Sequence, residues 1–190
     1  MKERPIIFSG SMVKAILEGR KTMTRRVIKP EWWGCLDPED GDDVLKAIEQ
    51  CPRGVSGDRL WVRETFYACV GKDQKPRGDV VYKATLNEPD VFPWKSPIHM
   101  PRWASRLTLD ITDVRVERLQ DISEKDARAE GAERKQLFDP ANPDTVAYSY
   151  RMGFADLWES INGVSGKCWT DNPWVWVIAF KKAAAARHDA

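Results

Sequence analysis

Residues 10–26 of this 190-residue chain read GSMVKAILEGRKTMTRR, and this stretch decides the interpretation of the fold. Its apolar residues recur at helical spacing, which predicts an amphipathic helix over 11–18 with Ser11 as its N-cap. Gly19 stands where a left-handed residue is expected to end that helix. A β-strand over 22–28 is predicted next, so the helix leads directly into a segment rich in hydroxyls and cations.

Positive charge is concentrated after this helix, in a chain whose formal net charge is only +1. Four cations lie within seven residues: Arg20, Lys21, Arg25 and Arg26. One explanation is a solvated basic edge strand. The other is a phosphate or nucleotide site, in which arginines grip phosphate, Thr22 and Thr24 add hydrogen bonds, and crowding lowers the proton affinity of Lys21.

Alternation along the predicted strand places Lys21 and Thr24 on opposite faces. The two side chains converge only if the turn after Gly19 reorients Lys21 before the strand begins. The geometry of this turn therefore decides whether the basic segment holds a reactive lysine.

The run 16–26, ILEGRKTMTRR, resembles the signature of ASCH domains, a branch of the PUA-like β-barrels, and especially of the longer ASCH proteins of bacteriophages and prophages. Three further segments extend the resemblance: 57–64 (GDRLWVRE), 121–131 (DISEKDARAEG) and 173–180 (PWVWVIAF). The resemblance implies an α+β fold, with a small and mostly antiparallel PUA-like β-barrel flanked by about three helices and carrying long loop insertions.

The hydrophobic pattern predicts elements that agree with this fold. Further strands are predicted over 59–66, 80–84, 106–116 and 174–181. Further helices are predicted over 124–130, with a capping box of Ser123 and Asp126, and over 147–161, ending before Gly163. Segments 30–56, 69–79 and 86–105 hold most of the Pro, Gly and acidic residues and are predicted to be loops.

Length and composition indicate one domain over 1–182, followed by a frayed tail over 183–190. The chain has no apolar run long enough to span a membrane and no secretory leader, so a cytoplasmic protein without a membrane partner is expected. Its four cysteines show no Cys-x-x-Cys spacing and it has only two histidines, so we expect no structural metal, disulfide or cofactor.

Tryptophan is abundant, and its nine positions divide by context. Those in strand or helix patterns are predicted to pack in the core: Trp61, Trp158, Trp174 and Trp176. Those in loops are candidates either to stack on a base or to anchor a loop: Trp32, Trp33, Trp94, Trp103 and Trp169. The best stacking segment is 97–106, because it holds His99, Arg102 and Trp103 just ahead of a strand.

The resemblance also implies a catalytic set. The small bacterial 4-N-acetylcytidine amidohydrolases of this superfamily use a Lys and a Thr of the first motif with a Glu of the second helix, which correspond to Lys21, Thr24 and Glu130. It implies that the Thr24 hydroxyl is the nucleophile, that Lys21 accepts its proton and that Glu130 protonates the leaving amine. Arg26 is a candidate to stabilise the oxyanion. Glu64 is a competing carboxylate.

Three functions remain open. The first is binding of a nucleoside, nucleotide or short single-stranded RNA in a basic cleft, with hydrolysis of an N-acyl amide on the base. The second is a nucleic-acid-binding module without catalysis, in which the same residues hold phosphate. The third is a metal-independent ribonuclease that uses Lys21, Glu130, Glu64 and His99. Balanced charge and a pI near 7.6 argue against a protein that coats long nucleic acids.

Overall fold

The computed structural model describes residues 1–29, 40–69, 71, 78–86, 92–137, 147–163 and 167–184. Within these residues the fold is a mixed α+β fold with nine strands and four α-helices. The strands are β1 (Glu3–Ile7), β2 (Met23–Val27), β3 (Arg59–Arg63), β4 (Phe66–Tyr67), β5 (Val81–Tyr82), β6 (Thr108–Arg118), β7 (Lys135–Leu137), β8 (Ala147–Ser149) and β9 (Trp174–Lys182). The helices are α1 (Gly10–Leu17), α2 (Gly41–Glu49), α3 (Glu124–Ala129) and α4 (Tyr150–Asn162).

One five-stranded sheet organises the fold, in the order β1-β3-β6-β9-β2. Strands β1 and β3 run parallel, and the other three pairings are antiparallel, as predicted for a mostly antiparallel sheet. Strands β4 with β5, and β7 with β8, form two small antiparallel pairs beside it.

The mixed α+β fold agrees with the prediction, but the sheet is not closed into a barrel, because β1 and β2 are its two edges and do not pair with each other. Helix α1 joins these two strands along the chain. Its residues Val13 and Ile16 are buried in the same hydrophobic cluster as Ile6 of β1, so a helix occupies the place of the missing strand pairing. The Arg26 side chain reaches across, and its Nη2 donates to the Ile7 carbonyl oxygen at 3.0 Å.

The core divides between the two faces of the sheet because neighbouring residues of a strand point to opposite sides. Along β9, Trp176, Ile178 and Phe180 join the cluster that includes α1, whereas Val175 and Val177 join a second cluster with α3 and α4. As predicted, Trp158 and Trp176 are buried. Strand β2 therefore lies between α1 on one face and α4 on the other.

Two helix predictions need correction, and a third is confirmed. Helix α1 starts earlier than predicted, because Ser9 and not Ser11 is its N-cap and accepts from the Met12 N–H at 3.4 Å. Helix α4 starts later, because the Ser149 hydroxyl caps it by accepting from the Met152 N–H at 3.1 Å and residues 147–149 form β8. The Ser123 cap of α3 is confirmed, since its hydroxyl accepts from the Asp126 N–H at 3.1 Å.

Helix α2 lies within the segment that was predicted to be a loop. Asp40 caps it, and two further acidic residues in its first turn complement the positive end of the helix dipole. Ala47 is buried, and its carbonyl oxygen accepts from the Trp176 indole N–H at 3.1 Å. The acidic residues that suggested a loop therefore stabilise the start of a helix.

Strand boundaries also differ from the prediction. The strand predicted over 59–66 is interrupted between Arg63 and Phe66, and the one predicted over 80–84 is confined to Val81–Tyr82. Ala183 is not frayed at its backbone, because its N–H donates to the Thr108 carbonyl oxygen at 2.9 Å. Residues 185–190 of the predicted tail lie outside the described residues.

Candidate functional site

The turn after α1 sets the position of Lys21. Gly19 has a φ of 73°, as predicted, and the N–H groups of Arg20 and Lys21 both donate to the Ala15 carbonyl oxygen, at 2.8 and 3.0 Å. The chain then crosses the end of α3, where Lys21 forms a β-bridge with Glu130. The turn after Gly19 therefore reorients Lys21 before the strand begins, and Lys21 lies before β2 and not within it.

The Lys21 amine is fully buried against Glu130. Its Nζ donates to the Glu130 carboxylate oxygen Oε2 at 2.7 Å and to the Glu130 backbone carbonyl at 2.8 Å. Nζ also lies 5.6 Å from the centre of the Phe8 ring. One side chain thus joins the end of α1 to the end of α3 inside the core.

Burial lowers the pKa of Lys21 below its ordinary value of 10.5. The main cause is desolvation of the ammonium group, and the positive charges of Arg26 and Arg25 act in the same direction, whereas Glu130 raises the pKa. A buried lysine with a lowered pKa next to a pocket is a candidate for a functional group.

Arg25 fixes the second oxygen of Glu130. Its Nη1 donates to Glu130 Oε1 at 3.2 Å, and its Nη2 lies 3.0 Å from Glu117 Oε2 and 3.4 Å from Asp126 Oδ2. The Arg25 side chain has no exposed surface and lies 5.8 Å from the Phe154 ring. Because three carboxylates already surround it, Arg25 holds Glu130 in place and is not free to grip a phosphate.

Arg26 retains unused hydrogen-bonding capacity. Its guanidinium lies 5.4 Å from the Phe8 ring on the side of the sheet that faces α1, and its buried Nε has no hydrogen-bond partner among the described residues. Burial and the nearby charge of Arg53 lower the pKa of Arg26 to about 10. A guanidinium that is held in place and retains a spare donor is suited to bind a carbonyl oxygen or an oxyanion.

Thr24 lies beside Arg26 in a narrow pocket at the free edge of β2, between α1 and α4. The pocket, called here the edge pocket, has a volume of about 20 Å³, which is room for about one water molecule. Its lining residues are Met12, Thr24, Arg25, Arg26, Glu130, Phe154, Leu157, Trp158, Ile161 and Asn162. The buried Thr24 side chain forms no hydrogen bond with another described residue, so the structure brings its hydroxyl into the same pocket as Glu130 without joining it to Lys21.

Two exposed residues of the basic motif lie outside the edge pocket, and the buried Lys21 does not line it either. Thr22 is exposed, and its N–H donates to the Ala129 carbonyl oxygen at 2.8 Å. Arg20 is also exposed and forms a surface ion pair with Glu18. Neither residue lines the edge pocket.

Glu64 belongs to a separate cluster. Its two carboxylate oxygens accept from Arg106 Nε and Nη2, each at 2.9 Å, and the Arg106 guanidinium lies 4.0 Å from the centre of the Tyr82 ring. Glu64 does not line the edge pocket. The structure therefore separates the two carboxylates that the sequence left in competition.

The segment predicted to stack bases also lies apart from the edge pocket. Arg102 pairs with Glu3 of β1, whose edge of the sheet is opposite to β2, with its Nε donating at 3.0 Å. His99 is exposed, and Trp103 is 45% exposed. Among the loop tryptophans, Trp94 and Trp169 contact Phe92 and Phe154 edge-on and so act as anchors. Trp32 and Trp33 lie outside the described residues.

Two further residues, Phe8 and Gly131, shape the site in ways that were not identified from the sequence. Phe8 provides the ring beneath Lys21 and Arg26, although no motif marks it. Gly131 has a φ of 79°, and a Cβ atom there would lie 3.2 Å from the Cβ atoms of both Ala15 and Lys21. This glycine was recognised only as the end of a helix, and its second role depends on contacts that are distant in sequence.

Neither a metal cluster nor a membrane-spanning helix occurs among the described residues. No group of three or more His, Cys, Asp or Glu side chains is arranged there to hold a metal ion. Within the same residues, no helix is long and apolar enough to cross a membrane.

Comparison with known proteins gives matches only among solved structures. No family model and no curated protein matches the chain. The chain is similar to a crystal structure of an ASCH domain from Lactobacillus crispatus, with 14% identity over 95% of this chain and 79% of that chain and a TM-score of 0.43. It is also similar to a protein from Enterococcus faecalis assigned to DUF984, with 13% identity over 96% of this chain and 76% of that one and a TM-score of 0.41. The first structure carries the family name that the sequence resemblance gave, and we transfer no residue role from either.

Proposed function

We propose that the edge pocket binds an acylated nucleobase and that the protein hydrolyses its N-acyl amide. The observation that carries this proposal is the fully buried Lys21 amine, whose pKa is lowered, next to a pocket that contains the Thr24 hydroxyl, which forms no hydrogen bond with another described residue. A buried lysine ion pair adds little stability compared with apolar side chains. The desolvation penalty of burying Lys21 is therefore better explained by a catalytic role.

The proposed reaction begins with a proton shift inside the Lys21–Glu130 pair. Moving one proton across the 2.7 Å hydrogen bond from Nζ to Oε2 leaves a neutral amine and a carboxylic acid. The neutral amine accepts the proton of the Thr24 hydroxyl as Oγ1 attacks the acyl carbonyl carbon. The Arg26 guanidinium stabilises the oxyanion that forms.

Collapse of that intermediate breaks the carbon–nitrogen bond. Glu130 donates its proton to the departing amine, and Lys21 returns a proton to Glu130 through the same hydrogen bond. Water then attacks the acyl ester on Thr24, releases the carboxylic acid and restores the hydroxyl. Every proton moves among three groups of the chain, the substrate and water.

Substrate entry has to widen the edge pocket, because its present volume of about 20 Å³ admits about one water molecule and no nucleobase. Met12 of α1 and Leu157 of α4 are the flexible apolar side chains at this constriction. Both also line an adjoining cavity of about 250 Å³ that reaches Glu130 and Gly131. We propose that the base enters through this adjoining cavity and displaces the two side chains.

The test is deacylation of 4-N-acetylcytidine by the purified protein, followed by chromatography. Thr24→Val keeps the shape of the side chain and removes the nucleophile, and Lys21→Met removes the base. Each is expected to lower kcat by at least about 100-fold. Thr112→Val, on the exposed surface of β6, is the matched control and is expected to retain wild-type turnover. Turnover that survives in Thr24→Val would exclude the acyl-threonine route.

One observation favours a second function, nucleic-acid binding without catalysis. Both Glu130 oxygens already accept from cations, and the contact with Glu130 raises the pKa of Lys21 against the larger effect of burial, which favours the charged amine. A binding module of this kind shows no deacylation, binds short single-stranded RNA with an affinity that falls steeply with salt, and tolerates Lys21→Met with modest weakening.

A further inference from the structure

A second, larger cavity lies beside the crossing of Lys21 and Glu130. It has a volume of about 370 Å³ and is lined by residues that flank the two crossing segments, Gly19 and Arg20 on one and Ala129 and Gly131 on the other. We call it the basic pocket. Both glycines have positive φ, 73° and 79°, and lack side chains, so the backbone forms part of its floor.

The charge of the basic pocket has one sign. Its charged lining residues are Arg20, Lys125 and Arg128, and no acidic side chain among the described residues lines it. Lys125 and Arg128 form no ion pair with any carboxylate in the described part of the chain, whereas Arg20 shares its charge with Glu18. Cations gathered around a cavity without a carboxylate create a positive potential that attracts anions.

Aromatic rings extend this surface. Tyr150 lines the basic pocket, and the Arg128 guanidinium lies 5.9 Å from its ring. Arg134 lies 5.3 Å from the Tyr148 ring and 6.0 Å from the Tyr150 ring. Tyr148 is 54% exposed. Alternating guanidinium groups and rings are the surface on which single-stranded nucleic acids place phosphates and bases.

The basic pocket and the edge pocket each lie next to the adjoining cavity, with which each shares lining residues. It shares Gly131 and Ala132 with the adjoining cavity. The adjoining cavity in turn shares Met12, Glu130 and Leu157 with the edge pocket. A single ligand lying along residues 129–132 therefore reaches both the cations and Thr24.

We infer that the basic pocket is a phosphate-binding subsite and that the substrate is a nucleotide within a single-stranded oligonucleotide, not a free nucleoside. This inference rests on the proposed function, because it assigns the base to the edge pocket. The base enters through the adjoining cavity while the phosphates next to it lie against Lys125, Arg128 and Arg20. An acidic protein segment is the other polyanion that these positive charges attract. Such a segment has no nucleobase to occupy the edge pocket.

The experiment compares two substrates and two variants. The substrates are 4-N-acetylcytidine and a single-stranded tetraribonucleotide that contains it, and the tetranucleotide is also used as a fluorescent probe for direct binding. The test variant is Lys125→Gln with Arg128→Gln. The matched control is Lys181→Gln with Lys182→Gln, which removes the same charge from exposed positions at the end of β9.

The wild-type protein is expected to prefer the tetranucleotide over the nucleoside by at least about ten-fold in kcat/KM, since charge-assisted phosphate contacts are each worth that much. The test variant is expected to lose this preference and to bind the tetranucleotide about ten-fold more weakly, with a shallower salt dependence. The control is expected to keep both.

Failure of this inference is distinguishable from failure of the proposed function. Equal kcat/KM for nucleoside and tetranucleotide in the wild type overturns the subsite and leaves amide hydrolysis intact. Absence of turnover on both substrates, together with tight tetranucleotide binding that only the test variant loses, overturns the hydrolysis and supports the subsite. Displacement of the tetranucleotide by a poly-glutamate peptide at equal charge concentration overturns the assignment to nucleic acid.

Discussion

Glu64 and Glu130 are both almost completely buried, at 1% and 3% exposure, yet their partners differ. Glu64 is held by one guanidinium, Arg106, which donates to both of its oxygens at 2.9 Å and remains 24% exposed at its own side chain. Glu130 is shared between Lys21 and Arg25, whose side chains are completely buried. Among the described residues, Glu64 therefore has one partner, which is partly exposed to solvent. Glu130 lies between two cations that are shielded from solvent.

The difference separates a structural pair from a candidate site. A bidentate arginine satisfies a carboxylate and leaves no group available for chemistry, and Glu64 does not line the edge pocket, the adjoining cavity or the basic pocket. At Glu130 the chain buries an additional amine, which costs desolvation and lowers the pKa of Lys21. Burial alone does not identify the site, whereas the additional cation beside a pocket does.

The largest effect on stability is expected when the carboxylate of each cluster is neutralised. Glu130→Gln leaves the buried Lys21 amine without a counter-charge, although Arg25 keeps Glu117 and Asp126, and is expected to lower the free energy of unfolding by about 3–5 kcal/mol. Glu64→Gln leaves one arginine that can turn towards water, and about 1–3 kcal/mol is expected. Urea denaturation of both variants measures the comparison. An equal loss, or a larger loss for Glu64→Gln, would show that the two clusters are equivalent structural pairs.

The same contrast shows what the sequence predicts well. The motif around Lys21 and the turn at Gly19 identified the basic segment, and the helix pattern with its Ser123 cap predicted the second helix. The choice of Glu130 at the end of that helix came from the family resemblance. These signals are local, since caps, glycines and helical periodicity depend on neighbouring residues. Four of the five strands of the central sheet were found for the same reason, but β1 was not predicted. The helix at Gly41–Glu49 was missed because its N-terminal acidic residues also suit loops.

The roles within the cluster depend on contacts between distant segments. Arg25 was predicted to bind substrate, yet Glu117 and Asp126 surround it from β6 and α3, more than 90 residues away. Phe8 lies under Lys21 only because α1 folds back across the sheet edge. The open barrel has the same origin, because the choice between a helix and a strand pairing at the β1–β2 gap is made by tertiary packing.

A smaller effect is expected from the two left-handed glycines that flank the crossing. Gly131→Ala places a Cβ atom 3.2 Å from Lys21 and Ala15 at a φ of 79°, and the strain and the crowding together are expected to cost about 2–4 kcal/mol. Gly19→Ala has a similar φ of 73° but nothing within 4 Å, so about 1–2 kcal/mol is expected. Thermal and urea unfolding measure both variants.

This pair also sharpens the contrast between the site and its surroundings. Gly131→Ala is expected to displace Lys21 from Glu130, so the deacylation rate of this variant is expected to fall together with its stability. Gly19→Ala introduces similar backbone strain without crowding Lys21. Comparing the two variants therefore separates the effect of backbone strain from the effect of displacing Lys21. Equal destabilisation by the two substitutions would mean that the Lys21 side chain moves away from the new Cβ atom without a loss of stability. Its position would then not be fixed by packing.

The smallest effect is expected from Lys21→Met at neutral pH. Arg25 still pairs with Glu130 and methionine fills the volume, so the free energy of unfolding is expected to change by about 1–2 kcal/mol. This loss is smaller than that for Glu130→Gln although both substitutions break the same hydrogen bond, because only the carboxylate variant leaves unpaired buried charge of one sign.

The pH dependence of that small difference reports on the lysine itself. Burial lowers the pKa of Lys21 in the folded protein below 10.5, so between the lowered value and 10.5 the unfolded chain binds more protons than the folded one. Stability contributed by this group therefore rises with pH across that window and is smallest below it. The difference in unfolding free energy between wild type and Lys21→Met is expected to grow as the pH approaches 10.5, while exposed Lys181→Met shows no such trend. A difference that falls with pH would mean that Glu130 outweighs desolvation and holds Lys21 protonated, which removes the basis for a catalytic amine and leaves recognition as the function of the pocket.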